Sequence, residues 1–238
     1  MANIIIEACC SDIESVLNAK RGCADRIELC SALETGGVTP SIGLIEAAVE
    51  IFGRNVMVLV RPRTGDFAYS PDEINVMLRD IRYCRQAGAG GVVIGALTPS
   101  GAIDTDAVAA LIAAAGDMEV VFHRAFDYCN DPIASLALLT RLGVRRILTS
   151  GKPGQACENL DILSALVKAA GDDIQILPGG GITAENVAAL IKNTGCTQIH
   201  ASAKTARPVN GTVARDMGTQ ALTSADKLLE IRHITETL

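Results

Sequence analysis

Short β-rich runs alternate with helical stretches along the whole chain, and this alternation limits the possible folds more than any other feature. The runs are 4–9, 26–30, 56–61, 91–95, 120–124, 145–149, 174–178 and 198–202, eight in all. The stretches between them carry helix start and stop signals. Ser11 with Glu14 and Ser70 with Glu73 have capping-box spacing. Pro71 and Pro132 stand where a first-turn proline is tolerated. Gly22, Gly53, Gly88, Gly116, Gly143, Gly171 and Gly195 each follow a helical run, where a left-handed residue closes a helix.

Strict β–α alternation calls for a parallel sheet. Eight units of about 30 residues fit a closed (β/α)8 TIM barrel, one domain over residues 1–238. An open Rossmann sheet would want G-x-G-x-x-G after the first strand. The segment "EACCSD" stands there instead, so no nucleotide cofactor is expected. Apolar residues make up 49% of the chain, enough for a large core. A net charge of −6 argues against a nucleic-acid partner. No apolar run approaches the roughly 20 residues that cross a bilayer, so no membrane partner is expected. The start "MANIIIEACC" lacks a basic n-region, which makes the cytosol the expected location. The eight cysteines are scattered and form no C-x-x-C, so they are expected to be reduced, mostly as small buried hydrophobes.

In barrels of this kind chemistry gathers at the C-terminal ends of the strands. Those ends are polar here. In "IIIEAC" and "DRIELC", alternation puts Glu7 with Cys9, and Arg26 with Glu28 and Cys30, on one face of each strand. Later strand ends contribute Arg61, Arg63 and Asp66 from "RPRTGDF", then His123, Arg124 and Asp127 from "FHRAFD". Thr149, Ser150 and Lys152 follow from "LTSGK", and His200, Ser202 and Lys204 from "HASAK". Each could simply mark where a strand meets water. Glu7 and Glu28, however, lie two residues inside their strands' ends, and charges facing a barrel interior need partners. Arg61, Arg63 and Arg124 are the expected partners, because guanidinium forks match carboxylates. His123 is a candidate general acid or base, with a structural histidine as the alternative. His233 is expected at the surface.

Gly179, Gly180 and Gly181 in "PGGGI" precede a helix start. Their N–H groups suit an anion, with Ser202 and Lys204 in the next loop, although a tight turn would also use glycine. Cys9 and Cys30 fall on adjacent strands, about 4.8 Å apart in a parallel sheet. Two such thiols could hold a soft ion, form a disulfide or be spectators.

The segments "ADRIELCSALETGGVTPSIGLI", "RPRTGDFAYSPDEI", "FHRAFD", "RILTSG", "PGGGIT" and "HASAK" together resemble the CutC family, in order, over residues 4–204. The resemblance implies a cytosolic (β/α)8 barrel and a role in copper tolerance, with Cu(I) at two cysteines matched here by Cys9 and Cys30. The sequence departs from the family pattern at "EACC", where Cys10 adds a thiol expected on the opposite side of the strand, and in its tail after Lys204. Two functions follow as expectations. One is copper homeostasis through Cu(I). The other is an enzyme of isomerase, epimerase or lyase type acting on a small anionic or phosphorylated metabolite, with Glu7, Glu28 or His123 moving protons. A homo-oligomer is a further expectation.

Overall fold

Each β-rich run becomes a short parallel strand, and each stretch between becomes a helix that carries the chain back to the same end. The computed structural model describes residues 4–207 and 221–238. Strands β1 (Ile5–Cys10), β2 (Arg26–Leu29), β3 (Val56–Leu59), β4 (Gly91–Ile94), β5 (Glu119–Phe122), β6 (Arg146–Thr149), β7 (Gln175–Pro178) and β8 (Gln198–Ala201) form one sheet. They alternate with α1 (Ile13–Arg21), α2 (Ile42–Phe52), α3 (Pro71–Gln86), α4 (Thr105–Ala115), α5 (Pro132–Leu142), α6 (Leu160–Ala170) and α7 (Ala184–Thr194). Consecutive strands are neighbours, and β8 pairs in parallel with β1. Just past β7, Gly179 bridges His200 in β8, which brings the sheet round to a nearly closed barrel.

Side chains alternate between two cores. Cys10, Ile27, Val58, Ile94 and Phe122 point outward and pack with helix residues such as Met77, Leu111, Leu139 and Leu163. Cys9, Cys30, Met57, Leu59, Val93, Val121, Leu148 and Leu177 form a separate cluster inside the barrel. Cys10 thus faces away from Cys9, as the period-two pattern requires.

Beneath the inner cluster lies a polar floor built from residues at the starts of strands. Arg146 Nε donates to Gln198 (2.9 Å) and Gln175 (3.0 Å), and its Nη2 to Glu119 (3.0 Å). Arg26 Nη2 donates to the same Gln198 oxygen at 2.9 Å. Floor and apolar layer together lie beneath the cavity at the C-terminal ends of the strands.

Local signals place the helices, with two corrections. Ser70 and Glu73 form the expected capping box around Pro71. The first helix is instead capped by Asp12, whose carboxylate accepts the Ser15 N–H at 2.9 Å. Asp12 is the extended residue, so the helix begins one position later than a Ser11 cap would allow. Gly22 is the other exception among the helix-ending glycines, with φ of −79°. It is small because a Cβ there would stand 2.7 Å from Leu228 Cβ.

The sequence gives little sign of the return after β8. Lys204 opens a short strand, β9 (Lys204–Ala206), paired antiparallel with β10 (Ala221–Thr223), and α8 (Ala225–Glu236) follows. Thr223 ties this ribbon to the barrel, its hydroxyl donating to the Cys9 carbonyl at 2.8 Å. His233 is exposed on α8. No helix among the described residues is long and apolar enough to cross a membrane.

Candidate metal and ligand site

The barrel mouth holds a cavity of about 310 Å³. Cys9, Glu28, Cys30 and His200 line one side of it, from β1, β2 and β8. Arg61, Phe67, His123, Arg124, Gly180, Gly181, Ser202 and Lys204 also line it.

On the thiol side a chain of polar contacts rises from the floor. Arg26 Nε donates to Glu7 Oε2, and Glu7 Oε1 meets His200 Nδ1 at 2.8 Å. His200 Nε2 then faces Glu28 Oε2 at 3.6 Å, and the Cys9 thiol donates to that same oxygen at 3.6 Å. All four residues beyond Arg26 are buried. Among the described residues, Cys9, Glu28 and His200 form a group whose ligand atoms lie within 4.8 Å of one another.

The two glutamates behave differently because their neighbours differ. Burial alone would raise the Glu7 carboxyl, but Arg26, His200 and Arg146 outweigh it and hold it at about 2. Glu28 has no arginine partner among the described residues, and burial, with help from the Glu7 charge, raises it. The Cys9 thiol is pushed well above its usual value by the neighbouring Cys30 thiol and by burial, so it is protonated at neutral pH. Burial works to lower His200, but its contacts with Cys9, Glu28 and Glu7 prevail and carry it well above 6.5.

The rest of the lining is rich in donors. Arg61 is buried beside the Tyr69 hydroxyl and donates to the carbonyls of Gly37 (2.8 Å), Gly65 (2.7 Å) and Thr35 (3.4 Å), while its guanidinium lies 5.1 Å from the Phe67 ring centre. His123 caps a 3-10 turn, Arg124–Tyr128, its Nδ1 accepting the Ala125 N–H at 3.1 Å. This ends β5 at Phe122, two residues before the expected boundary. Burial, reinforced by the Arg61 charge, lowers His123 to about 3. The ring is therefore neutral, and its proton sits on Nε2.

The expected pairing of the glutamates with Arg61, Arg63 and Arg124 is not what forms. Glu7 takes Arg26, which shares its alternation face and sits opposite it in register. Arg63 is held outside the main cavity by Glu73 and by Asp66 at 2.9 Å. Arg124 binds Asp127 at 2.8 Å, Ser150 at 2.7 Å and the Gly154 carbonyl at 2.9 Å. Asp127 is buried and also accepts from Thr149, from the Ser150 N–H and from the Ser150 hydroxyl. Asp127 and Ser150 thus form a brace beneath Arg124 and do not line the cavity. Gly179 serves barrel closure, since a Cβ there would stand 2.6 Å from Leu148. Gly180 and Gly181 have φ of 104° and 73°, in the left-handed region that favours glycine. Lys204 is exposed at the rim. Phe67 and the floor residues Arg146, Gln175 and Gln198 are further members of this architecture. Only alternation within their strands could have marked the floor residues as inward-facing.

The comparisons with known proteins agree with this architecture. The family model described as "CutC family" matches residues 4–205. A CutC family protein of Pasteurella multocida (strain Pm70) is 49% identical over 199 residues, 84% of this chain and 82% of that protein. The human protein named copper homeostasis protein cutC homolog is 45% identical over 203 residues, 85% of this chain and 74% of its own length. A crystal structure of CutC from Streptococcus agalactiae superposes with a TM-score of 0.80 at 35% identity, covering 84% of this chain and 98% of that one. Thiamine phosphate pyrophosphorylase from Pyrococcus furiosus shares the fold at a TM-score of 0.61 and 14% identity, over 99% of this chain and 97% of that one. With a family model and relatives of this identity spanning most of its length, the chain belongs to the CutC family.

Proposed function

We propose that the protein takes part in copper homeostasis by binding Cu(I) as cargo at the barrel mouth, with Cys9 as the principal ligand and Cys30 beside it. The observation that carries this reading is the buried group Cys9, Glu28 and His200, its ligand atoms within 4.8 Å of one another and next to a second thiol. Sulfur ligands favour a soft ion, and imidazole suits copper as well. The arrangement behind His200 supports a ligand role. Glu7 engages Nδ1 and turns Nε2 toward Glu28 and Cys9, the carboxylate–histidine geometry that commonly orients a metal-binding imidazole. Arg26 in turn fixes Glu7. The relatives' names place them in copper homeostasis, which agrees with a soft-ion site.

The enzyme expectation has weaker support. Thiamine phosphate pyrophosphorylase and N-(5'-phosphoribosyl)anthranilate isomerase from Pyrococcus furiosus share the fold at 14% and 15% identity, a likeness that carries the fold alone.

Anaerobic Cu(I) titration against a competing chelator tests the reading on wild type, Cys9→Ser, Cys30→Ser and the double variant. Affinity should drop steeply with Cys9→Ser and further in the double variant. Equal affinity in wild type and double variant would sink the reading. Tighter binding of Zn(II) than Cu(I) under the same competition would reassign the metal.

A further inference from the structure

Beside the buried Tyr69 hydroxyl, itself without a hydrogen-bond partner, two buried side chains on the wall of the mouth cavity carry N–H groups that make no hydrogen bond among the described residues. They are Arg61, through Nε, and His123, through Nε2. Both side chains are 5% exposed, and both line the cavity. Leaving a buried donor without a partner is costly, and such donors are uncommon in folded proteins. Two of them close together, packed on the same Phe67 ring, ask for an explanation beyond the fold.

The charge around them points one way. Arg61 has no carboxylate partner among the described residues, so its positive charge is uncompensated on the cavity wall. Lys204 adds a second cation at the rim. Glu28 is the one carboxyl among the lining residues, and it belongs to the thiol side. Gly180 and Gly181 reach the same wall, and no hydrogen bond from either N–H is formed among the described residues. His123 offers a donor without charge, since Nδ1 is committed to Ala125.

We infer that this wall binds the oxyanion group of a small metabolite, a phosphate or a carboxylate, through Arg61, the His123 Nε2–H and the amides of Gly180 and Gly181, with Lys204 at the rim. Guanidinium and glycine amides are the donors that oxyanions select. A cavity of about 310 Å³ has room for a compact metabolite. The site uses no thiol and needs no metal, so it stands or falls separately from copper binding.

The test uses the metal-free full-length chain with ring-15N histidine. Inorganic phosphate, malonate and chloride are titrated at constant ionic strength, following the His123 Nε2 resonance and the thermal midpoint. Phosphate or malonate should shift the resonance saturably, and whichever binds tighter identifies the class of group. His123→Asn keeps an acceptor for the Ala125 N–H but cannot place a donor at the Nε2 position, so thermal stabilisation by the anion should weaken about tenfold or more in apparent affinity. Lys204→Ala, on an exposed strand, should weaken it less. Arg61→Lys should weaken it strongly, and if that variant does not fold, His123→Asn decides. A chloride response equal to the others, no saturable response to phosphate or malonate, or unchanged affinity in His123→Asn would each overturn the inference.

Discussion

His123 should make the protein acid-sensitive, and replacing it should produce a crossover in stability. In the fold the imidazole is held at about 3, first by burial and then by the Arg61 charge, against an ordinary 6.5. Below about pH 6.5 the unfolded chain therefore protonates this histidine while the folded protein does not. The unfolded state binds the extra proton, so stability falls as pH falls. At about 1.4 kcal/mol per pH unit, His123 alone removes about 3 kcal/mol between neutral pH and pH 4.5, and about 4 kcal/mol by pH 3. His123→Asn keeps the cap on Ala125 but loses the ring packed between Phe67 and Phe122, with centroids 5.0 and 6.0 Å away. That packing is worth about 1–2 kcal/mol. The variant should thus be less stable than wild type at neutral pH and more stable near pH 4.5. Urea denaturation at several pH values between those limits measures the difference, and the other titrating groups largely cancel in it. Parallel stability profiles for the two proteins would refute the reasoning, because the histidine would then not be buried in its neutral form.

Substitutions at three other positions probe the barrel interior. Arg26→Met leaves the buried Glu7 carboxylate with His200 as its remaining close partner and should cost about 3 kcal/mol in denaturant melts at neutral pH, while Arg26→Lys should recover only part of it. Leu148→Ala, in the layer that separates floor from mouth, should cost about 2–5 kcal/mol by cavity formation, measured in the same way. Gly95→Ala would put a Cβ 2.4 Å from His123 Cε1 and 2.5 Å from its Nδ1. The imidazole must move off the Ala125 N–H, so its titration by NMR should shift up toward 6.5, with a stability loss of about 1–3 kcal/mol.

The repeating architecture was legible because it rests on local chemistry. Period-two alternation identified the inward faces of β1 and β2, and Ser70, Pro71 and Glu73 announced α3. The ion-pair partners were not legible, because they depend on register. Arg26 meets Glu7 only because β1 and β2 pair with those two residues opposite each other. Arg61, Arg63 and Arg124 all stand past the ends of their strands, and each is captured by nearby loop and helix groups before it can reach Glu7 or Glu28. Asp127 looked like a catalytic carboxylate in "FHRAFD", yet the 3-10 turn that follows His123 points it at Thr149 and Ser150. Its role was set by the cap one turn earlier, which a list of polar residues does not show.

The same reasoning separates the two E-x-C segments, Glu7-Ala8-Cys9 and Glu28-Leu29-Cys30, which look equivalent in sequence. Both glutamates are buried, and both point into the barrel beside a thiol. One neighbour divides them. Arg26 and His200 overcome the cost of burial for Glu7, making it a fixed negative charge that orients an imidazole. Glu28 lacks an arginine, so burial pushes its carboxyl toward the neutral form, within reach of the Cys9 thiol and His200 Nε2. The first carboxylate is therefore structural support for the site, and the second is a carboxyl that burial makes easier to protonate. A cation arriving between Cys9, Glu28 and His200 would meet a thiol and an imidazolium that are both protonated at neutral pH, so it must displace their protons to bind. That requirement favours an ion whose bond to sulfur is strong enough to drive the exchange, which is in keeping with the soft ion proposed for this end of the barrel.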